Sequence, residues 1–411
     1  MKLNNLLTLA VDRGASDLHL KVGIVPVIRK HGILRPLDPS MEAVNQDMMS
    51  AITDQLLSAP QKETLEREGY VDLGYGISGL GRFRVNIFKQ RGTLRLVIRN
   101  IPFDVPDIDN LNLPPIIKKL ALETERGLIL VTGMTGSGKS TTLAAMIDYV
   151  NKHRNRHIIT IEDPIEFLIK DQKCIISQVE LGSDAPTYPK ALRAALRQDP
   201  DIILIGEMRD LDTIDTAITA AETGHLVLST LHTSDAVETI NRILAAYPSH
   251  QQQQIRYQLS SVITAIISQR MIMKTDEQGF VPAIEVLINT SRIKELILNG
   301  ARTKEIFNSI EEGKSAYGMQ SFDQSLLELV HQKIVTFEEA MASATNPKDF
   351  ALRHSGVKGA STQVWDPKSD RAAGKKIWDD IQELELQTNV SHIQKSSKFP
   401  TRSPPKPPGK K

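Results

Sequence analysis

The 411-residue chain has a single cysteine, Cys174. A disulfide framework and a cysteine-type zinc site both need several thiols, so neither is available, and the scarcity suits a reducing cytosol. Tryptophan is nearly as rare, with two residues, and aromatics make up 5% of the chain. No aromatic-rich basic stripe exists on which single-stranded nucleic acid would stack. The net charge is +1, which gives no global field for a polyanion. No apolar run approaches the ~18 residues of a membrane span. The apolar N-terminus is interrupted by Asp12-Arg13, too early for a signal-peptide core. These absences predict a cytoplasmic protein that binds no nucleic acid, has no membrane span of its own and reaches a membrane only through partners.

What is present is a complete phosphate-binding loop. Residues 133–140 read Gly133-Met-Thr135-Gly136-Ser137-Gly138-Lys139-Ser140, the G-x4-G-K-S pattern. An apolar strand, Gly127–Thr132, runs in, and a helical stretch beginning Ser140-Thr141-Thr142 runs out. The glycines free the backbone to turn its N–H groups inward on phosphate oxygens, and the helix adds the positive end of its dipole. Lys139 is predicted to reach the β- and γ-phosphates and Ser140 to ligate Mg2+. The chain therefore reads as a nucleoside triphosphate binder. No motif in the sequence identifies a residue that reads the base, so ATP and GTP are not distinguished at this point.

Residues 1–100 read as a small α+β domain. Helical spacing over 3–13 precedes a strand at 17–20. A hairpin follows, in which Phe83, Val85 and Ile87 alternate with Arg82, Arg84 and Asn86, the chain turns at Lys89–Gly92, and Leu94, Leu96 and Ile98 alternate with Arg95 and Arg99. Period-2 alternation puts the apolar sets on one face and four arginines on the other. With no acid in the hairpin, that face suits an anion. Residues 101–115 form a proline-rich linker. Beyond it, strands predicted at 128–132, 157–161, 174–180, 201–206 and 225–231 alternate with helices at 139–152, 187–198 and 211–223, which implies a mostly parallel α/β sheet. Residues 235–345 read as largely helical, with one apolar segment at 283–288. An extension over 346–411 contains Trp365 and Trp378 and ends in a basic, proline-rich stretch. Its composition predicts disorder from about residue 390.

Strand ends after the loop carry hydrolytic chemistry. Glu162, Asp163 and Glu166 fall within five residues at the end of one apolar strand. In open α/β sheets ligands bind at the carboxyl ends of strands, where a carboxylate can accept the proton of an attacking water. The next strand ends in Gly206-Glu207-Met-Arg209, a Walker-B-like acid for the metal's water shell. His225 and His232 bracket the strand after that and read as phosphate or interface sensors.

Together the Gly133–Ser140 loop, Ile-Glu162-Asp-Pro-Ile-Glu166, Gly206-Glu-Met-Arg-Asp210 and Thr-Gly-His225…Thr-Leu-His232 strongly resemble the secretion-ATPase superfamily, and within it the type IV pilus retraction ATPases of the PilT/PilU kind. The resemblance covers roughly residues 1–345 and includes Ala15-Ser-Asp-Leu-His19, Gly81-Arg-Phe-Arg-Val-Asn86 and Gly318-Met-Gln-Ser-Phe-Asp323. It implies a PAS-like domain over 1–100, the linker 101–115, and a RecA-like P-loop ATPase domain with a helical C-terminal part over 116–345. It also implies a homo-hexameric motor driving pilus retraction and twitching motility with ATP and Mg2+. Its partners would be an inner-membrane platform protein and a paralogous pilus ATPase.

By motif position the resemblance implies roles for individual residues. Gly133, Thr135, Gly136, Ser137, Gly138, Lys139, Ser140, Thr141 and His225 would hold the nucleotide, and Ser140 and Glu207 the metal. Glu166 would be the catalytic carboxylate, with Glu207, His232, Arg84 and Arg99 completing the site. One segment departs from the retraction motors: where they carry Ala-Ile-Arg-Asn-Leu-Ile-Arg-Glu, this chain has Arg292–Asn299, ending in Leu298-Asn299. An accessory PilU-type role, or an ATP-binding scaffold for a partner motor, is the alternative.

Overall fold

The computed structural model describes residues 2–30, 32–101, 105–300 and 303–355. Residues 102–104 of the linker and the tail from 356, with Trp365, Trp378 and the proline-rich end, lie outside the described residues. Among the described residues no helix is long and apolar enough to cross a membrane.

Six strands form an antiparallel N-terminal sheet: β1 (Asp17–Lys21), β2 (Val27–Lys30), β3 (Ile33–Pro36), β4 (Tyr70–Ile77), β5 (Gly81–Gln90) and β6 (Thr93–Ile101), in the order β3-β2-β1-β6-β5-β4. The predicted hairpin is β5–β6. Arg91 and Gly92 close it with φ of 50° and 77°, a two-residue turn whose twist matches the strands it joins. Phe83, Val85, Ile87, Leu96 and Ile98 are buried with Leu3, Leu6, Leu7, Met49 and Ile52 of the helices Leu3–Asp12 and Gln46–Leu56. The arginines occupy the opposite face, Arg84 directly across from Arg99.

That face is not free of acids, contrary to what the hairpin alone suggests. Asp17 of β1 bonds Arg99 at 2.9 Å, Asp72 of β4 lies 3.9 Å from Arg84, and Glu180, from the second sheet, pairs with Arg82 at 2.9 Å. Local alternation cannot reveal acids supplied by strands distant in sequence.

The second sheet has seven strands: β7 (Gly127–Thr132), β8 (His157–Glu162), β9 (Ile175–Glu180), β10 (Ile202–Ile205), β11 (Leu226–Leu231), β12 (Ile263–Met273) and β13 (Phe280–Ile288), in the order β13-β12-β7-β11-β10-β8-β9. All neighbours are parallel except β12 and β13. Every residue of β7, β10 and β11 is buried. Leu128 and Leu130 of β7 join one core and Ile129 and Val131 another, so helices cover both faces, as parallel sheets require. Cys174 lies inside this domain, its Sγ 3.1 Å from the Arg154 carbonyl, and burial pushes its thiol up.

Residues 235–345 are largely helical as expected, except where two strands run between 263 and 288. β12 and β13 extend the sheet past the loop strand, and helices resume only at Ser291. The helix Gln252–Val262 passes into β12 at Ile263 with no glycine or proline between them to mark the change.

Candidate active site

The carboxyl ends of β7, β8, β10 and β11 surround a cavity of about 660 Å3. One side is the 133–140 loop, with Gly133, Gly136 and Gly138 at φ of 144°, 83° and 85°, a region costly for side chains. At Gly133 a Cβ would also overlap Ser137 Oγ and the Gln269 carbonyl. Lys139 Nζ donates to the carbonyls of Gly133 at 2.9 Å and Met134 at 3.1 Å. Burial lowers the affinity of Lys139 for its proton, against the opposing pull of Glu207 and Glu166. Thr135, Gly136, Gly138, Ser140 and Thr141 line the same cavity.

The facing wall is acidic. Glu162 ends β8, and Asp163 and Glu166 follow in the next turn; all three line the cavity. Burial raises the Glu162 carboxyl above its ordinary range, although it accepts hydrogen bonds from Thr160 Oγ1 at 2.6 Å, Gln178 Nε2 at 3.2 Å and the Glu166 N–H at 3.4 Å. Glu207 follows β10. One of its oxygens lies 3.3 Å from His232 Nε2, just past β11, and the other accepts from Arg209 Nε at 2.7 Å. The Tyr188 phenol also faces this wall, and burial pushes it up, so it remains a hydrogen-bond donor. Arg84 reaches the cavity from β5 of the N-terminal sheet.

Other residues named from the sequence fall elsewhere. Gly133 and Ser137 shape the loop from behind rather than line the cavity. Arg99 is held by Asp17 Oδ1 and does not line it. His225 precedes β11, at the end of the strand opposite His232, and its Nδ1 lies 3.0 Å from the Ala220 carbonyl.

Residues without an assigned role in the sequence reading also line the cavity: Glu162, Asp163, Tyr188 and Arg209. The two acids were visible as part of a carboxylate cluster, whereas Tyr188 sits in no motif that marks it. Among the described residues no group of three or more His, Cys, Asp or Glu is arranged to hold a metal. Magnesium needs few protein ligands when phosphates supply the rest, and the Ser140 hydroxyl and Glu207 carboxylate are a hard oxygen set that fits it.

Comparisons with known proteins agree with this geometry. The chain is 41% identical to the type IV pilus retraction ATPase PilT of Pseudomonas aeruginosa over 350 residues, 85% of this chain and 100% of that one. It is 39% identical to the type IV pilus ATPase PilU of the same organism, over 86% of this chain and 91% of that one. The crystal structure of the pilus retraction motor PilT with bound ADP aligns with a TM-score of 0.76 at 43% identity, covering 85% of this chain and 98% of that chain. The model of the type II/IV secretion system protein family matches residues 1–364. A loop, acids and a histidine brought to one cavity by successive strand ends, on a chain matched almost throughout, place this protein in the type II/IV secretion system protein family.

Proposed function

We propose that this protein is a Mg2+-dependent ATPase that drives type IV pilus retraction, acting as a cytoplasmic homo-hexamer against an inner-membrane platform protein. The observation that carries the reading is the single cavity in which Lys139, Ser140, Glu166, Glu207 and His232 meet Arg84 of the N-terminal sheet. The loop N–H groups and Lys139 hold the β- and γ-phosphates. Ser140 and Glu207 hold the metal, which when bound neutralises charge on the phosphate oxygens. Glu166 accepts a proton from water as the new O–P bond forms, and ADP departs with the electrons of the broken bond. Arg84 and Lys139 balance the charge that develops. Because Arg84 comes from the N-terminal sheet, closing that sheet on the nucleotide links hydrolysis to movement.

The test is turnover and binding in two variants. Glu166→Ala and Glu207→Ala lose hydrolysis and keep most ATP affinity. Parent-level turnover in Glu166→Ala removes the base assignment. In cells, deletion of the protein gives hyperpiliated, non-motile cells if it retracts pili.

The Leu298-Asn299 departure favours a second reading, an accessory PilU-type ATPase or an ATP-binding scaffold beside a partner motor. The purified chain separates the two. Normal nucleotide binding with zero turnover of the chain alone supports the scaffold.

A further inference from the structure

The acidic wall is tied to the N-terminal sheet by a contact outside the cavity. Glu180, the last residue of β9, is a buried carboxylate, its side chain 3% exposed. Its Oε2 pairs with Arg82 Nη2 of β5 at 2.9 Å. The same oxygen accepts the Ile165 N–H at 3.1 Å. Ile165 is itself buried, at 2% exposure, and the next residue is Glu166. One carboxylate oxygen therefore joins the outer face of the N-terminal sheet to the turn that presents the proposed base.

The approach is close. Gly74 of β4 lies against this pair: a Cβ there would overlap Glu180 Oε1 and stand 2.7 Å from Arg82 Nη2. Gly74 faces Arg84 in the β4–β5 register, so the contact adjoins the arginine that lines the cavity. A buried carboxylate left without its cation is costly, so the Glu180 side chain follows Arg82 if the sheet shifts. Ile165 then follows Glu180, since losing that acceptor leaves a buried N–H unsatisfied.

We propose that Arg82 and Glu180 are positioning residues that set Glu166 according to the placement of the N-terminal sheet. Neither residue lines the cavity. Their action is through the 163–166 turn, and the inference rests on Glu166 being the base. A displacement of about 1 Å at a reacting group can cost as much as 10²-fold in rate, so a loosened turn has room for a measurable effect.

The experiment uses the full-length chain and measures kcat, ADP affinity and the affinity for ADP with aluminium fluoride, a mimic of the transferring phosphoryl group. Arg82→Gln is expected to lower kcat about tenfold and weaken the aluminium fluoride complex in parallel, leaving ADP affinity unchanged. Gly74→Ala is expected to do the same with both charges in place. In a Glu166→Ala background, Arg82→Gln is expected to add no further loss of single-turnover rate, because both act through one group.

Several results overturn the proposal: parent kcat in Arg82→Gln, an equal loss of ADP affinity, or a further tenfold loss in the Glu166→Ala background. If Gly74→Ala fails to fold, the half-buried Arg82→Gln series decides alone. Turnover in Glu166→Ala at the parent rate overturns the hydrolytic reading itself. An inactive Glu166→Ala beside a fully active Arg82→Gln overturns only the coupling.

Discussion

The two sheets of this chain solve the burial problem differently. The N-terminal sheet is antiparallel and buries one face on helices, leaving the other charged. The second sheet is mainly parallel and covered on both faces, and its central strands β7, β10 and β11 are buried at every position. The first offers side chains from along its strands, as Arg82 and Arg84 illustrate. The second presents its charged groups to the cavity where its strands end, which is where the loop, Glu162, Glu207 and His232 lie. A two-faced core leaves catalysis to the rim, whereas a one-faced sheet can lend residues from its middle.

The largest test of this contrast is at the rim. Glu166→Ala is expected to cut kcat by about 10²- to 10⁴-fold with the thermal transition unmoved, checked by steady-state hydrolysis and calorimetry. Next is the core. Ile203 of β10 is fully buried, and Ile203→Ala is expected to cost about 2–5 kcal/mol. Val97, half-buried on the outer face of β6, is expected to cost about 1 kcal/mol as Val97→Ala. Equal costs in urea melts would erase the distinction between the sheets.

Glu285 of β13 is the exception that sharpens it, a carboxylate inside the second sheet. Burial first, and then Asp235 and Asp323, raise it to about 7 from an ordinary 4.5, against Arg270 and the Ala236 N–H. Below about pH 4.5 it is protonated whether the chain is folded or not. Between about 4.5 and 7 only the unfolded chain releases the proton, so folding stability falls as pH rises through that window, by roughly 3 kcal/mol in all. Glu285→Gln keeps an oxygen for the Ala236 N–H, 2.8 Å away in the parent. It is expected to be more stable than the parent at pH 8 and close to it at pH 4, read from paired melts.

Smaller effects separate the arginines and the turn. Arg84→Ala is expected to lower kcat about tenfold, and Arg99→Ala less, since Arg99 is held by Asp17. Matching kinetic losses would break that ordering. Gly92→Ala, at φ 77°, is expected to cost about 1 kcal/mol with kcat unchanged, measured by denaturant unfolding.

Legibility followed the same division. The loop strand and its helix could be read because a turn pattern and a change of period coincide at Gly133–Lys139. The β5–β6 hairpin was legible because one face is wet, so alternation survives in Phe83–Ile87 and Leu94–Ile98. β12 was not, because a fully buried strand and a buried helix look alike when no breaker separates them, and Ile263 follows Val262 directly. Within the site, the sequence displayed Glu162, Asp163 and Glu166 as a cluster but not that burial would push the Glu162 carboxyl up. The placement of Arg99 on Asp17, and of Arg82 on Glu180, depends on pairings between residues 82 and 98 positions apart, which no local pattern encodes.

The seclusion of Cys174 has a practical consequence. A thiol shut in apolar surroundings with its proton held tightly is a poor nucleophile, so the native chain presents no competing site for maleimide dyes or spin labels. One cysteine introduced on β5 and another near β9 would then report whether the amino-terminal module moves when nucleotide is added, with little background to subtract.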